Sequence, residues 1–171
     1  AAFEPPIAVA GSIRMDQIAR FGREYAEGRL VEAMVTAMRA AEMGPAVLRF
    51  VPRRLLQAGT GRMLRRDDAA TPAPGVPHLR ELAMALPADL RIVADNAERA
   101  GDFAGVQART ALLAGSATRP YLRTAADAVA AVIPGARSVV LPGTNHAATQ
   151  NREQYGRPER VAPALAEFFG A

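Results

Sequence analysis

A histidine in a loop after a short apolar segment is the first residue whose type and place could do chemistry. His146 follows the apolar run "RSVVLPG" (137–143) and lies in a turn with Gly143 and Asn145. Histidine is the side chain best matched to proton transfer near neutral pH. Loops at the carboxyl ends of parallel strands are also where open α/β sheets bind ligands. His146 is therefore either a catalytic acid–base group or a structural histidine that caps a turn.

A carboxylate near the start of the sequence occupies a similar place. Glu4 follows Phe3, which has the character of the last residue of a strand, and it precedes Pro5 and Pro6. The prolines stiffen the backbone on its C-terminal side. A carboxylate in such a loop could orient an imidazole and stabilise its charged form. The alternative is a carboxylate that accepts hydrogen bonds from nearby backbone N–H groups.

Strands and helices alternate in the last third of the chain, and they would position these two residues. Short apolar runs predict strands over 108–115 and 137–143, with a helix over 120–135 between them and a closing helix over 156–170. A strand–helix–strand order predicts parallel strands covered by helices on both faces. With the strand end at 1–3, the sequence contains only three strands. A parallel sheet this small would leave an unpaired edge, so the sequence is predicted to be part of a larger α/β protein.

The segment before these strands has the apolar spacing of helices. Ser12 is expected to cap the first helix, and the Pro/Gly-rich stretch 67–77 is expected to be a loop. Met34 and Met38 recur at helical spacing, which is typical of core packing, although methionines also line adaptable apolar pockets.

The composition excludes several classes of protein. The 171 residues include no cysteine, which excludes disulfides and thiolate metal sites, and the two histidines are far apart, so no metal is expected. The net charge is +4, but the arginines are spread among carboxylates, so no nucleic acid partner is expected. No apolar run is long enough for a membrane span and no signal peptide is evident, which favours a cytoplasmic protein.

These segments together resemble the C-terminal half of an α/β-hydrolase. The resemblance rests on "AAFEPPI", on "ARTALLAGSATRPYLRTAADAVAAVIPGARSVVLPGTNHAA" and on "RPERVAPALAEFF". It implies an incomplete α/β-hydrolase fold, with short parallel strands, flanking helices and an α-helical cap. Residues 1–10 would hold the end of the sixth strand and the following loop, 11–101 the helical cap, and 102–171 the C-terminal part of the core. The "FEPP" motif is similar to a subgroup of small bacterial hydrolases.

The resemblance also assigns roles to residues. In this family the nucleophile is a serine on a G-x-S-x-G elbow, which this sequence lacks, and His146 takes the place of the general base. The family usually carries its acid after the seventh strand, where this sequence has "GSATR". Some members carry the acid after the sixth strand, where Glu4 stands, so Glu4 is the implied acid.

The resemblance implies a serine-type hydrolase that acts on an ester or similar small apolar substrate and needs no cofactor. Its nucleophile would come from a missing N-terminal half or from a partner chain, so this chain alone is expected to be inactive. The cap helices would shape an apolar pocket with five side chains, which are Ile18, Phe21, Tyr25, Met34 and Met38. The alternatives are a non-catalytic helical binding module and a degenerate hydrolase that binds without reacting.

Overall fold

Three strands and seven α-helices make up the part of the chain that the computed structural model describes, which is residues 1–72, 75–152 and 155–170. Short 3-10 turns lie at Ala46–Phe50, Ala100–Gly105 and His146–Thr149. The strands and helices are, in chain order, β1 (Ala2–Phe3), α1 (Met15–Ala26), α2 (Leu30–Ala40), α3 (Arg53–Asp68), α4 (Leu79–Ala83), α5 (Leu86–Asp95), β2 (Ala111–Gly115), α6 (Pro120–Val132), β3 (Arg137–Leu141) and α7 (Pro158–Gly170).

These elements form two compact units. Residues 1–12 and 96–171 make up the sheet unit, which contains all three strands with α6 and α7, and residues 13–95 make up the helical unit, which contains α1–α5. No helix within the described ranges is both long and apolar enough to cross a membrane.

The sheet is parallel throughout, in the order β1–β2–β3. Every residue of β2 is buried, because helices cover both faces of this central strand. Side chains alternate between the faces of a strand, so Leu112 and Ala114 pack with α6 while Ala111 and Leu113 pack with α7. The predicted parallel strands with flanking helices are therefore confirmed.

The register of the sheet brings the carboxyl ends of the strands to one edge. Phe3 pairs with Leu113, and Gly115 pairs with Leu141. Because parallel strands end on the same side, the residues after β1, β2 and β3 all lie along this edge. They include Glu4 after β1 and His146 after β3.

The helical unit combines an apolar cluster with a buried polar cluster. Phe21 packs against Ala33 and Ala37. Glu24 is 3% exposed, and its carboxylate accepts hydrogen bonds from Arg53 at 2.8 and 3.0 Å and from the Thr36 hydroxyl. These residues come from α1, α2 and α3, so one buried carboxylate ties three helices together.

The chain leaves the sheet unit after residue 12 and returns to it at residue 96, and hydrogen bonds of Glu98 join these two segments; this set of bonds is called the Glu98 stitch. The Glu98 carboxylate accepts hydrogen bonds from the amides of Ala10 at 2.9 Å and Gly11 at 3.1 Å. The Glu98 amide donates to the Ala8 carbonyl oxygen at 2.7 Å. Glu98, Ala10 and Gly11 all have positive φ angles, so these bonds hold a tight local conformation.

Two predicted boundaries in the helical region are wrong. The first helix begins at Met15, because the hydroxyl of Ser12 accepts a hydrogen bond from the Val9 amide at 3.1 Å and caps no helix. The loop expected over 67–77 begins later, since α3 continues to Asp68. Residues 73 and 74 of that stretch lie outside the described residues.

Candidate active site

The loop after β3, residues 142–146, is called the histidine loop here, and short hydrogen bonds hold it. Thr144 is 1% exposed, and its hydroxyl donates to the Leu141 carbonyl oxygen at 2.9 Å. The Asn145 side-chain oxygen accepts from the Ala147 amide at 3.0 Å, where the 3-10 turn begins. The loop therefore presents the imidazole from a fixed backbone.

The turn after β2 packs directly against the histidine loop. The Ala117 amide donates to the Thr144 carbonyl oxygen at 2.9 Å, and the Gly143 amide donates to the Ser116 hydroxyl oxygen at 2.8 Å. A methyl group on Gly115 would overlap the Thr144 carbonyl oxygen and lie 2.7 Å from its carbonyl carbon, so only glycine fits there without moving the backbone.

Glu4 reaches the same place from β1. Its amide continues the ladder by donating to the Leu113 carbonyl oxygen at 2.9 Å. Its φ is +46°, a conformation that side chains other than glycine rarely adopt. The turned backbone buries the carboxylate, whose Oε1 atom accepts a hydrogen bond from the Gly115 amide at 2.9 Å. The carboxylate is thus held by backbone from a neighbouring strand.

The structure brings Glu4 and His146 into contact although 142 positions separate them in the sequence. Oε2 of Glu4 lies 2.6 Å from Nδ1 of His146. The Glu4 side chain is fully buried, whereas the His146 side chain is 66% exposed. An ionised carboxylate only accepts hydrogen bonds, so Nδ1 carries the proton and Nε2 is the nitrogen available to another group.

Each member of the pair changes the acidity of the other. Burial raises the pKa of Glu4, but the hydrogen bonds from His146 and the Gly115 amide outweigh burial and hold this pKa below its ordinary value of 4.5. The hydrogen bond to Glu4 raises the pKa of His146 above its ordinary value of 6.5, against the opposing effect of partial burial. The pair therefore favours a carboxylate beside an imidazole that protonates readily.

These two shifts set the pH range in which the pair stabilises the fold. The contribution of His146 is complete below pH 6.5 and is lost as pH rises through its raised folded pKa. The contribution of Glu4 is complete above pH 4.5 and is lost as pH falls through its lowered folded pKa. Both contributions are complete between these two values.

The five side chains expected to contact a substrate all belong to the helical unit. Phe21 is 2% exposed and packs in the interior of that unit, with its ring 5.8 Å from that of Tyr25. Ile18, Met34 and Met38 are half-buried. A role for these residues in substrate binding stays a prediction.

The other candidate groups have partners of their own. The Ser12 and Ser116 hydroxyls accept hydrogen bonds from backbone amides, and the Ser138 hydroxyl donates to Asp127 at 2.8 Å. Nδ1 of His78 lies 3.2 Å from Asp67 in the helical unit. No group of three metal-ligating side chains occurs among the described residues.

Two features of the site are absent from the sequence-based prediction. The Gly115 amide binds the Glu4 carboxylate, and Thr118 is buried in the same turn, which precedes α6. The sequence "GSATR" contains no carboxylate, and this absence is the signal that the turn could bind a carboxylate from another strand, as its Gly115 amide does.

Comparison with known structures gives the fold family. Over 98% of its length the chain is similar to a crystal structure of an alpha/beta hydrolase from Sphaerobacter thermophilus, with 30% sequence identity and a TM-score of 0.61. The chain has an α/β-hydrolase fold. It spans 56% of the length of that hydrolase, and the predicted resemblance to the C-terminal half of an α/β-hydrolase is confirmed. No protein-family model and no curated protein matches the chain.

Proposed function

We propose that Glu4 and His146 are the acid and the base of a serine-type α/β-hydrolase that cleaves an ester or a similar bond in a small apolar substrate. The observation that carries this proposal is the 2.6 Å contact between a buried carboxylate and Nδ1 of an exposed imidazole. The contact lies at the carboxyl edge of a parallel sheet, where α/β proteins bind ligands.

In this proposal the two residues divide the work of proton transfer. Nε2 of His146 takes the proton from a serine hydroxyl as that oxygen attacks the substrate carbonyl carbon, and it then gives the proton to the leaving group. Glu4 keeps the proton of the neutral imidazole on Nδ1 and stabilises the imidazolium that forms. This chemistry needs no cofactor, because the serine and the histidine supply the nucleophile and the proton transfer.

The nucleophile in this proposal comes from polypeptide outside these 171 residues. Support comes from the three serines of the chain, since each hydroxyl already holds a local hydrogen bond and none follows the G-x-S-x-G pattern. The role of the helical unit as a cap stays a prediction.

The proposal is tested by ester hydrolysis in a longer polypeptide that joins the sequence encoded upstream to Ala1. A short p-nitrophenyl ester is the substrate, and the 171-residue chain alone is assayed beside it. We expect activity from the longer polypeptide and none from the chain alone. His146→Ala should lower kcat by roughly 10³-fold or more, and Glu4→Gln by roughly 10²-fold or more.

Matched substitutions separate catalysis from folding. His78→Ala removes the other histidine, which contacts Asp67 in the helical unit, and Glu167→Gln changes an exposed carboxylate on α7. Both residues lie outside the Glu4–His146 pair, so both changes should leave kcat within about two-fold. Strong activity of the chain alone that disappears with Ser116→Ala would refute the proposed source of the nucleophile. Full activity of a folded His146→Ala protein would favour a binding module or a degenerate hydrolase.

A further inference from the structure

The turn between β2 and α6 contains a buried hydroxyl that has no hydrogen-bond partner among the described residues. Thr118 is 8% exposed, and no donor or acceptor of those residues lies within ordinary hydrogen-bond geometry of its Oγ1 atom. Buried polar groups are nearly always hydrogen-bonded, because leaving one unpaired forfeits its interaction with water. The position of this hydroxyl therefore needs a reason.

The turn that carries this hydroxyl also binds the carboxylate of Glu4. The Gly115 amide binds Oε1 of Glu4, and the carbonyl oxygen of Gly115 accepts from the Thr118 amide at 3.3 Å, so the turn carries both groups. The Thr118 hydroxyl is close enough to act on the charge of the carboxylate. Burial raises the pKa of Glu4, and the Thr118 hydroxyl lowers it, as the larger effects of the His146 and Gly115 hydrogen bonds do.

The carboxylate has room for another donor. Its two oxygens together offer about four acceptor positions. Two donors are in place, the Gly115 amide on Oε1 and Nδ1 of His146 on Oε2. Rotation about one side-chain bond of Thr118 changes the direction of its hydroxyl without moving the backbone.

We propose that Thr118 is a positioning residue, which donates a third hydrogen bond to the buried carboxylate of Glu4 and so fixes the oxygen that receives His146. This inference rests on the proposed function, in which Glu4 orients the imidazole. A third donor makes the carboxylate a weaker proton acceptor. The proton on Nδ1 therefore stays on the imidazole when His146 becomes positively charged.

The test uses NMR titration of the 171-residue chain. Thr118→Val keeps the side-chain shape but removes the hydroxyl, and Thr118→Ser keeps the hydroxyl. Thr124→Val is the control, because the Thr124 hydroxyl donates to the Pro120 carbonyl oxygen on the exposed side of α6. The signals followed are the side-chain carboxyl carbon of Glu4 and the ring of His146, with the His78 ring as an internal reference.

In Thr118→Val we expect the pKa of Glu4 to rise by roughly 0.5 to 1, the value of one modest hydrogen bond to the charged form. Thr118→Ser and Thr124→Val should titrate as the unsubstituted chain does. The Tm of Thr118→Val at pH 7 provides a second readout, because it changes in opposite directions if the hydroxyl binds Glu4 and if the hydroxyl is unpaired. Loss of a donor to Glu4 lowers Tm, whereas removal of an unpaired buried hydroxyl raises Tm.

An unchanged pKa of Glu4 in Thr118→Val, or a raised Tm, would overturn the inference. If Thr118→Val does not fold, Thr118→Ala also removes the hydroxyl, and the pKa of Glu4 alone is then decisive, because loss of the methyl group lowers Tm in either case. The titration does not measure ester hydrolysis, so the role of Thr118 and the proposed hydrolase function can be refuted independently of each other. An inactive longer polypeptide would contradict the proposed function while the titration still reports whether Thr118 binds Glu4.

Discussion

A single methyl group at Gly115 is expected to separate the Glu4 carboxylate from the His146 imidazole. In Gly115→Ala the new carbon would overlap the carbonyl oxygen of Thr144, and it would lie 2.7 Å from the carbonyl carbon of Thr144 and 3.0 Å from Cα of Asn145. All three are backbone atoms, so no side-chain rotation relieves the overlap. Moving the Thr144 carbon from 2.7 Å to the 3.4 Å of ordinary contact requires a displacement of at least about 0.7 Å, and the closer oxygen must move further.

This displacement acts on the histidine loop two residues before His146. Overpacking of this kind costs about 1–3 kcal/mol of unfolding free energy. The contact of His146 with Glu4 is only 2.6 Å long, so a shift of 0.7 Å removes much of the hydrogen bond that raises the pKa of His146. That pKa is expected to fall toward 6.5, and kcat of the longer polypeptide to fall by roughly 10²-fold.

Urea unfolding and NMR titration of the chain measure the first two effects. Gly105→Ala is the control, because a methyl group there would meet no atom within 4 Å, and its stability should change by no more than about 0.5 kcal/mol. Equal stability of the two variants, with the pKa of His146 unmoved in Gly115→Ala, would refute the claim that the tight approach at Gly115 holds the pair together.

Three other substitutions test separate parts of the structure. Glu4→Gln should lower the pKa of His146, measured by NMR, and should destabilise the chain most between pH 4.5 and 6.5, measured by urea unfolding. Glu24→Gln should reduce the unfolding free energy by roughly 3 kcal/mol at pH 7, because it leaves buried donors without their charged acceptor. That loss should shrink in acid as the lowered pKa of Glu24 is reached, and a pH-independent loss would contradict it. Glu98→Gln should speed hydrogen exchange of the Gly11 amide, because it weakens the hydrogen bond that this amide donates to the Glu98 side chain, and unchanged exchange would contradict that bond.

The order and direction of the strands could be predicted because local patterns determine them. The apolar run 108–115 contains β2 (Ala111–Gly115), and the helix expected over 120–135 is α6 (Pro120–Val132). A helix of this length between two strands favours a parallel crossover. The same logic places the residues after β2 and β3 on one edge. That Glu4 meets His146 is implied by the strand end before Glu4 and by the resemblance to α/β-hydrolases, and the structure shows the contact.

Contacts between distant segments could not be read from the same patterns. Ser12 is a good helix cap by type, but its hydroxyl serves the Val9 amide, and only the folded turn reveals that. Apolar periodicity gives no sign that Glu24 is buried, since its donors Thr36 and Arg53 arrive from other helices. The need for glycine at 115 likewise depends on a loop about thirty positions away.

The stitch made by Glu98 has a consequence for how this protein can evolve. The chain leaves the sheet unit after Ser12 and returns at Asn96, and the bonds from Glu98 to Ala10 and Gly11 keep the points of departure and return side by side. A segment whose two ends lie side by side can change in length with little effect on the strands. Residues 13–95 can therefore diverge in sequence while the Glu4 carboxylate and the His146 imidazole keep their places.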